Sequence, residues 1–551
     1  MVTREGGAWF RATRGFARAE PVAAVVLFSA LLVPIVTMAA AFGGVQAPLS
    51  PHDGAFHVQT AHDFRIGRST LSWYPPGLAG TFGAVLQLAP WLDSAAGAFD
   101  FGMGLTLLAP VTIFGLGAAT LRNLKAASAA ALMAAFTYLF PYYPQIWSGW
   151  PQTIGILLVL GLWAAAWGYV DRPDWGFVGL AGLIFGGIVL VHGTELYTSA
   201  IVLTVTAVAL WQRLRWRRLL WHLVPALLVA MVCAAPYLPR LLHWAGGGGA
   251  FEVGLDDGLA MDVGAKSTTA AELLHVFTLD ALGIDLPIRL ALIAAGVVWA
   301  LRCRVGRSFI VVAVIFYGLA VASTFLNGVP LVRGLYASTF PWSLPFRLLM
   351  IVSVALIMLA GQGWVAVGHG WRVVLARLQS AGARRRLQRA GRLLVVTWVL
   401  LATWSTCVFL SIPAERLTGF SSADAAAMTW LQQHADQGVV LANDTFADAG
   451  IWSEYKSGVP VLLPRMVTDP NSIGSRKLVL EHIDDIDGTA EVRAAACALR
   501  VGYVYYGAKI SAWDQRRFPP LAELHASAAL QEVFSAGNAV VFRVRVRCVE
   551  P

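Results

Sequence analysis

Uninterrupted apolar runs recur near 21–45, 98–121, 126–142, 152–170, 174–193, 195–212, 219–240, 287–302, 308–326, 346–368 and 393–413. A helix of roughly 17–25 apolar residues crosses the ~30 Å hydrocarbon core of a bilayer. The pattern therefore predicts a polytopic membrane protein with eleven spans. A further apolar segment, PPGLAGTFGAVLQLAPW (75–91), has only 13 residues between Pro76 and Pro90, roughly 20 Å of helix. It reads as a helix lying at the membrane surface, within one long loop from 46 to 97. From Ala414 onward the pattern changes. A helical period in ADAAAMTWLQQHA (423–435) is followed by strand-like stretches at 438–444, 459–464, 501–507 and 538–546. Ser421 or Ser422 can cap that helix. The expected architecture is thus a membrane domain over 1–413 and a compact α/β domain over 414–551.

Composition agrees: 57% of the 551 residues are hydrophobic and only 13% are charged, against roughly 25% charged in soluble domains. Mean hydropathy is +0.63. The net charge of +9 does not point to nucleic acid, because the basic residues sit in short runs between apolar segments, as in cytoplasmic loops. RLRWRR (213–218), RCRVGR (302–307), RRRLQRAGR (384–392), RNLK (122–125) and the N-terminus are all expected inside. If 76–90 crossed the membrane, RNLK and the N-terminus could not share a side. Parity then puts the N-terminus in the cytoplasm and the α/β domain outside. Arg4, Arg11, Arg14 and Arg18 precede an apolar run too long for the ~7–15-residue core of a cleaved signal, so the first span is expected to be an anchor. Cys497 and Cys548 fall in the polar C-terminal part. They either pair in an oxidising compartment or stay as two buried thiols. No cysteine–histidine spacing suggests zinc.

Titratable residues gather where the spans meet the outer face. PHDGAFHVQTAHDFRIGRS (51–69) brings His52, Asp53, His57, His62, Asp63, Arg65 and Arg68 together after the first span. Asp53 and His57 are four apart and share a helix face. VLVHGTELYT (189–198) places His192 and Glu195 in a short external turn. RGLYASTFPWSLPFR (333–347) carries Arg333, Trp342 and Arg347, the last at the start of a span, where an ionisable group suggests function. The planar fork of an arginine suits phosphate. Trp342, Tyr142, Tyr143, Trp147 and Trp150 are expected to form an interfacial aromatic belt, with stacking on a sugar for one or two of them. The Gly run at 246–249 lacks the Lys-Ser/Thr of a phosphate loop. The acids at 254–262 lack the spacing of a calcium loop, and EHIDDIDG (481–488) reads as a solvated helix end.

The loop with Asp53, and the YPP at 74–76 that opens its second helix, resemble the GT-C superfamily of membrane glycosyltransferases. So does the plan of an odd number of spans, a long first external loop and an external α/β domain. The resemblance implies an enzyme of an actinobacterial-type cell-envelope branch, in the inner membrane of a bacterium. It would move a hexose or pentose, of arabinose or mannose type, from a polyprenyl-phosphate donor to a glycan or glycolipid acceptor, with inversion. By position, Asp53 matches the acidic residue that takes the acceptor's proton or positions the acceptor. His57 and Glu195 join it as catalytic candidates. His52, His62, Arg65, Tyr74, His192, Arg333, Trp342 and Arg347 are candidates for holding donor or acceptor. The chemistry is consistent, since glycosyl transfer to a hydroxyl needs a base and cationic groups for the leaving phosphate. No cofactor is required. A divalent cation between Asp53, His57, His192 and Glu195 is an alternative use of the same residues. The competing classes are a lipid-linked glycan flippase or exporter and a non-catalytic envelope scaffold. A transporter should show internal repeats and midplane charge, and neither is evident.

Overall fold

A computed structural model of the chain describes residues 20–43, 53–67, 75–235, 237–239, 273–274, 276–277, 286–326, 328–339, 342–417, 419–444, 448–463, 470–508 and 516–548. The helices of its first part are α1 (Pro21–Phe42), α2 (Asp53–Arg65), α3 (Gly77–Leu88), α4 (Ala95–Leu121), α5 (Leu124–Ala135), α6 (Trp150–Asp171), α7 (Trp175–His192) and α8 (Glu195–Ala209). They continue as α9 (Trp216–Ala234), α10 (Leu286–Ala300), α11 (Arg304–Phe325), α12 (Pro330–Thr339), α13 (Pro345–Arg377) and α14 (Ala381–Leu417). Among the described residues eight of these, α1, α4, α6, α7, α9, α11, α13 and α14, are long and apolar enough to cross a membrane. A ninth span is a bent pair, 124–135 with 138–146, whose halves meet at 64°. The 15-residue helices α8 and α10 are apolar but shorter. Helices α1, α9 and α14 expose apolar side chains such as Phe28, Trp221, Val232, Leu400 and Trp404. In a membrane protein these faces meet lipid.

Two expectations need correction. The run at 126–142 is not one straight helix. The chain leaves helical geometry at Thr137 and Phe140, because Pro141 and Pro144 remove donors from the ladder. It re-forms as a short helix at Tyr143–Ile146. The basic stretch 384–392 is not a loop either. It forms the first turns of α14, leaving only 378–380 between α13 and α14. Arginine is a good helix former, so a basic run marks a membrane side without marking a loop.

Helix α13 is the axis of the bundle, buried almost continuously from Leu348 to Gly363. It packs on α5, α10 and α11. Its Gly363 and Gly296 of α10 face one another, and a Cβ on either would collide with the backbone of the other helix. Small residues permit such close approach inside a membrane.

The C-terminal part contains α15 (Ser422–His434), α16 (Pro470–His482), α17 (Ala490–Ala498) and strands β1 (Val440–Asn443), β2 (Val501–Tyr506), β3 (Leu530–Ala536) and β4 (Ala539–Val544). The sheet order is β1-β2-β4-β3. β1 runs parallel to β2, and the other pairs are antiparallel. Ser421 caps α15 in a reciprocal box with Asp424. Strand side chains alternate between two faces. Leu441, Tyr503, Tyr505 and Val541 join α15 and the helices α2 and α3 in one apolar cluster. Ala442, Val504, Val540 and Phe542 pack on the other side with residues of α16 and α17. The segment 459–464, expected as a strand, makes only an isolated parallel bridge, Val461 to Leu441. β3 was not expected, because LQEVFSA carries Gln, Glu and Ser among its seven residues and only Leu530 is buried. Cys497 and Cys548 are joined in a disulfide with their Cα atoms 5.5 Å apart. The stretches 246–249 and 254–262 lie outside the described residues.

Candidate active site

The site is assembled where α7 gives way to α8. His192 is the last residue of α7 and Glu195 the first of α8, with Gly193 and Thr194 between them. Both side chains are buried, 8% and 2% exposed. Glu195 is accommodated by Gly155 of α6, where an added Cβ would stand 2.8 Å from the Glu195 Cγ. The Arg347 guanidinium, on the first turn of α13, brings Nη1 within 3.1 Å of His192 Nε2. Arginine only donates, so Nε2 is the acceptor and a neutral His192 carries its proton on Nδ1. That Nδ1 lies 2.9 Å from the Thr194 hydroxyl and 3.5 Å from Glu195 Oε1. The Thr198 hydroxyl donates to Glu195 Oε2 at 2.6 Å. It accepts the Trp342 indole N–H at 2.9 Å.

The result is a chain, buried from Trp342 to Thr198, Glu195 and His192, that ends on the half-buried Arg347. It joins α7, α8 and α13 and fixes the orientation of each member. The Arg347 guanidinium also lies over the Trp147 ring at 5.3 Å and near Phe346 at 5.8 Å, in cation–π geometry.

Helix α2 supplies the carboxylate. Asp53 is its first residue and is partly exposed, and its charge acts on His192 along with those of Arg347 and Glu195. His57, one turn along, is buried with its ring 5.9 Å from that of Trp150 at the start of α6. The Asp53 charge thus reaches His192, while His57 packs α2 against Trp150.

Farther along α2 the chemistry is used differently. His62 Nδ1 and Arg65 Nη1 both meet Asp93 Oδ2, at 2.9 and 2.5 Å. The other Asp93 oxygen accepts the Tyr455 hydroxyl at 3.1 Å. Burial, and the Asp93 carboxylate beside it, push the Tyr455 hydroxyl well above its usual range. This knot ties the C-terminal part to α2. Asp63 accepts a hydrogen bond from Gln59. Arg333 is exposed on α12. His52, Tyr74 and Arg68 lie outside the described residues.

The aromatic belt expectation needs correction too. Tyr142, Trp150 and Trp342 are buried, and Tyr143 and Trp147 partly so. They pack around the break between α5 and α6 and around Arg347. The set Asp53, His57, His192 and Glu195 does not converge as metal ligands. Among the described residues no three His, Cys, Asp or Glu side chains form such a group. Both His192 nitrogens face other partners, and Glu195 Oε2 is held by Thr198. Sequence reasoning missed Thr198, Asp93 and Gly155. The i,i+3 spacing of Glu195 and Thr198 was the available signal; the other two answer to residues distant in the chain.

A second concentration of buried charge lies in the C-terminal part. Asp448 Oδ2 accepts from the Gly507 amide at 2.8 Å and from Arg516 at 3.1 Å. Asp444 accepts the Arg517 amide at 2.7 Å. Burial and the Asp444 charge push the Asp448 carboxyl up to about 7, outweighing Arg516 and the backbone donors.

Among solved structures the chain resembles the oligosaccharyltransferase of Archaeoglobus fulgidus in the apo form, at 12% identity, over 87% of this chain and 69% of that one, TM-score 0.55. It also resembles that organism's oligosaccharyltransferase AglB in complex with an inhibitory peptide and a dolichol-phosphate, at 13% identity over 89% and 70%, TM-score 0.55. ArnT from Cupriavidus metallidurans in the apo state is similar over 96% of this chain and 98% of its own, at 14% identity and a TM-score of 0.53. At these identities the likeness establishes the fold, a GT-C-like membrane bundle with a small C-terminal sheet domain. No curated protein matches the chain by sequence. The chain belongs to DUF6541, a family of unknown function whose model matches residues 69–546.

Proposed function

We propose that the protein is a membrane glycosyltransferase that takes a sugar from a polyprenyl-phosphate donor and gives it to a hydroxyl of a glycan or glycolipid. The observation that carries this reading is the Arg347–His192–Glu195 group, with His192 and Glu195 buried, lying within reach of the Asp53 charge. Arg347 binds the donor phosphate, with His192 and Trp147 holding its guanidinium in place. Asp53, on a helix outside the bundle, takes the acceptor's proton. The acceptor oxygen bonds to the anomeric carbon as the bond from that carbon to the phosphate oxygen breaks. The proton ends on Asp53 and the polyprenyl phosphate leaves with the bonding pair, its charge stabilised by Arg347. A single displacement of this kind inverts the anomeric centre. Support comes from the likeness to AglB, whose structure contains a dolichol-phosphate.

In this reading the N-terminus is cytoplasmic, and α2, α3 and the sheet domain over 414–551 face the outside of a bacterial inner membrane. The Cys497–Cys548 disulfide suits that side. The reading favours a cell-envelope glycan as the acceptor class and an arabinose- or mannose-type sugar on the donor. The direct test is photo-crosslinking of a diazirine-bearing undecaprenyl phosphate to the purified protein in nanodiscs, followed by peptide mapping. Labels are expected at the α7–α8 junction and the start of α13. Labels confined to the lipid-facing surfaces of α9 and α14 would contradict the reading.

A further inference from the structure

The break between α5 and α6 holds polar atoms that the mechanism above does not use. Gln145 and Gln152 are each 1% exposed and Ser148 is fully buried. Both amide atoms of Gln145, both of Gln152, the Ser148 hydroxyl and the Trp147 indole nitrogen have no hydrogen-bond partner among the described residues. A buried polar group left unpaired costs roughly 1–3 kcal/mol, and folded proteins pair nearly all of them. With the Trp150 indole nitrogen, seven such atoms lie within eight residues, which marks more than a packing fault.

The local backbone is built to present them. Ser148 takes a left-handed conformation, φ 58°, and the Gly149 amide closes a turn onto the Pro144 carbonyl at 2.7 Å. Gln145 and Gln152 flank this single tight reversal. Gln152 lies one helical turn before Gly155 on the same face of α6, the face against which Glu195 and His192 pack. Trp147 carries the Arg347 guanidinium over its ring. The neutral polar group thus adjoins the phosphate-binding group on one side and the Glu195 side on the other.

The chemistry narrows the ligand. A primary amide offers both donors and acceptors and carries no charge. Two amides and a hydroxyl beside an aromatic ring match vicinal hydroxyls, which also both donate and accept. Carrying no charge, they suit a second phosphate or a cation less well than a neutral polyol. We infer that Gln145, Ser148 and Gln152 form the subsite for the polyhydroxylated sugar of the donor, placed next to the phosphate held by Arg347. This inference rests on the proposed function and specifies where its sugar is recognised.

The test uses the full-length protein in nanodiscs with two kinds of probe: undecaprenyl phosphate, and undecaprenyl phosphate bearing mannose, glucose or arabinose. Methionine keeps the length of glutamine and removes its amide. Gln145→Met and Gln152→Met should unfold at the same temperature as wild type or higher, because an unpaired buried amide has been removed. Each should bind bare undecaprenyl phosphate like wild type and bind the preferred sugar lipid about tenfold less well. A lower unfolding temperature with equal weakening of both lipids would make the glutamines structural and overturn the inference. An unchanged preference for the sugar lipid would make the niche a water site only. Failure of wild type to bind bare undecaprenyl phosphate would instead remove the underlying functional reading, which that probe reports alone.

Discussion

Arg347 donates a hydrogen bond from Nη1 to Nε2 of His192 at 3.1 Å, although the two residues stand 155 positions apart. The contact joins the start of the central helix α13 to the end of α7. It aligns in a row a half-buried arginine, a buried imidazole and, through Nδ1, the buried Glu195 carboxylate. Such an arrangement keeps the guanidinium from snorkelling to the headgroups.

Arg347 should therefore be irreplaceable for donor binding. Arg347→Ala is expected to weaken undecaprenyl phosphate binding by about 1.5–3 kcal/mol, the worth of a charged hydrogen bond. Arg347→Lys should fall between, because an ammonium cannot form the paired contacts of the fork. Titration of the three proteins in nanodiscs checks this. Equal affinities would take Arg347 out of the donor site.

The row is propped from behind by Thr198. Thr198→Val keeps the side-chain shape but leaves the buried Trp342 N–H and a Glu195 oxygen without their partner. A loss of about 1–3 kcal/mol of stability is expected, read as a lower unfolding temperature in detergent. Thr198→Ser should retain most of it. A Val variant as stable as wild type would mean that Glu195 is not held in this way.

Asp93 ties the sheet domain to helix α2. With only 10% of its side chain exposed, it is not an ordinary surface partner. Asp93→Ala strands Arg65 and Tyr455, and is expected to cost about 1–2 kcal/mol. Limited proteolysis near residue 419 should become faster while the bundle stays intact. Cleavage at the wild-type rate would show that the apolar contacts alone hold the two parts together.

Much of this organisation was legible in the sequence. Helices stand at all eleven expected apolar segments, but among the described residues only eight, or nine with the bent pair, are long enough to cross a membrane, and α8 and α10 fall short of the expected spans. The break at 136–150 was marked by Pro141, Pro144 and Gly149, yet the surrounding apolar residues masked it. His192, Glu195 and Arg347 were picked out as ionisable residues at span ends, and the structure brings them together. His62 and Arg65 were picked out by the same rule but pair with Asp93, a partner no local spacing reveals. β3 escaped because an edge strand with one solvated face lacks the apolar content of a central one.

Asp448 gives the sheet domain a pH signature. Its folded carboxyl titrates at about 7 against an ordinary value of 3.8, so the folded state binds the proton more tightly than the unfolded chain does. The stability it confers is full below about pH 4 and is lost as pH rises through about 7. Asp444 and Arg516 are the charged groups facing it. Hydrogen exchange of the β1 and β2 amides, compared at pH 5 and pH 8, should show less protection at pH 8. Asp448→Asn should flatten the difference. A wild-type profile independent of pH would show that Asp448 stays ionised throughout.

The central claim is that Asp53 accepts the acceptor's proton while Arg347 holds the phosphate. The measurement that tests it most directly is single-turnover transfer from a radiolabelled undecaprenyl-phosphate sugar by purified wild type and Asp53→Asn, with donor affinity measured on the same samples. Asparagine preserves shape and removes basicity. The account predicts a transfer rate about 10²–10⁴-fold lower, with donor affinity unchanged because Arg347 is untouched. Transfer at close to the wild-type rate by Asp53→Asn would contradict it.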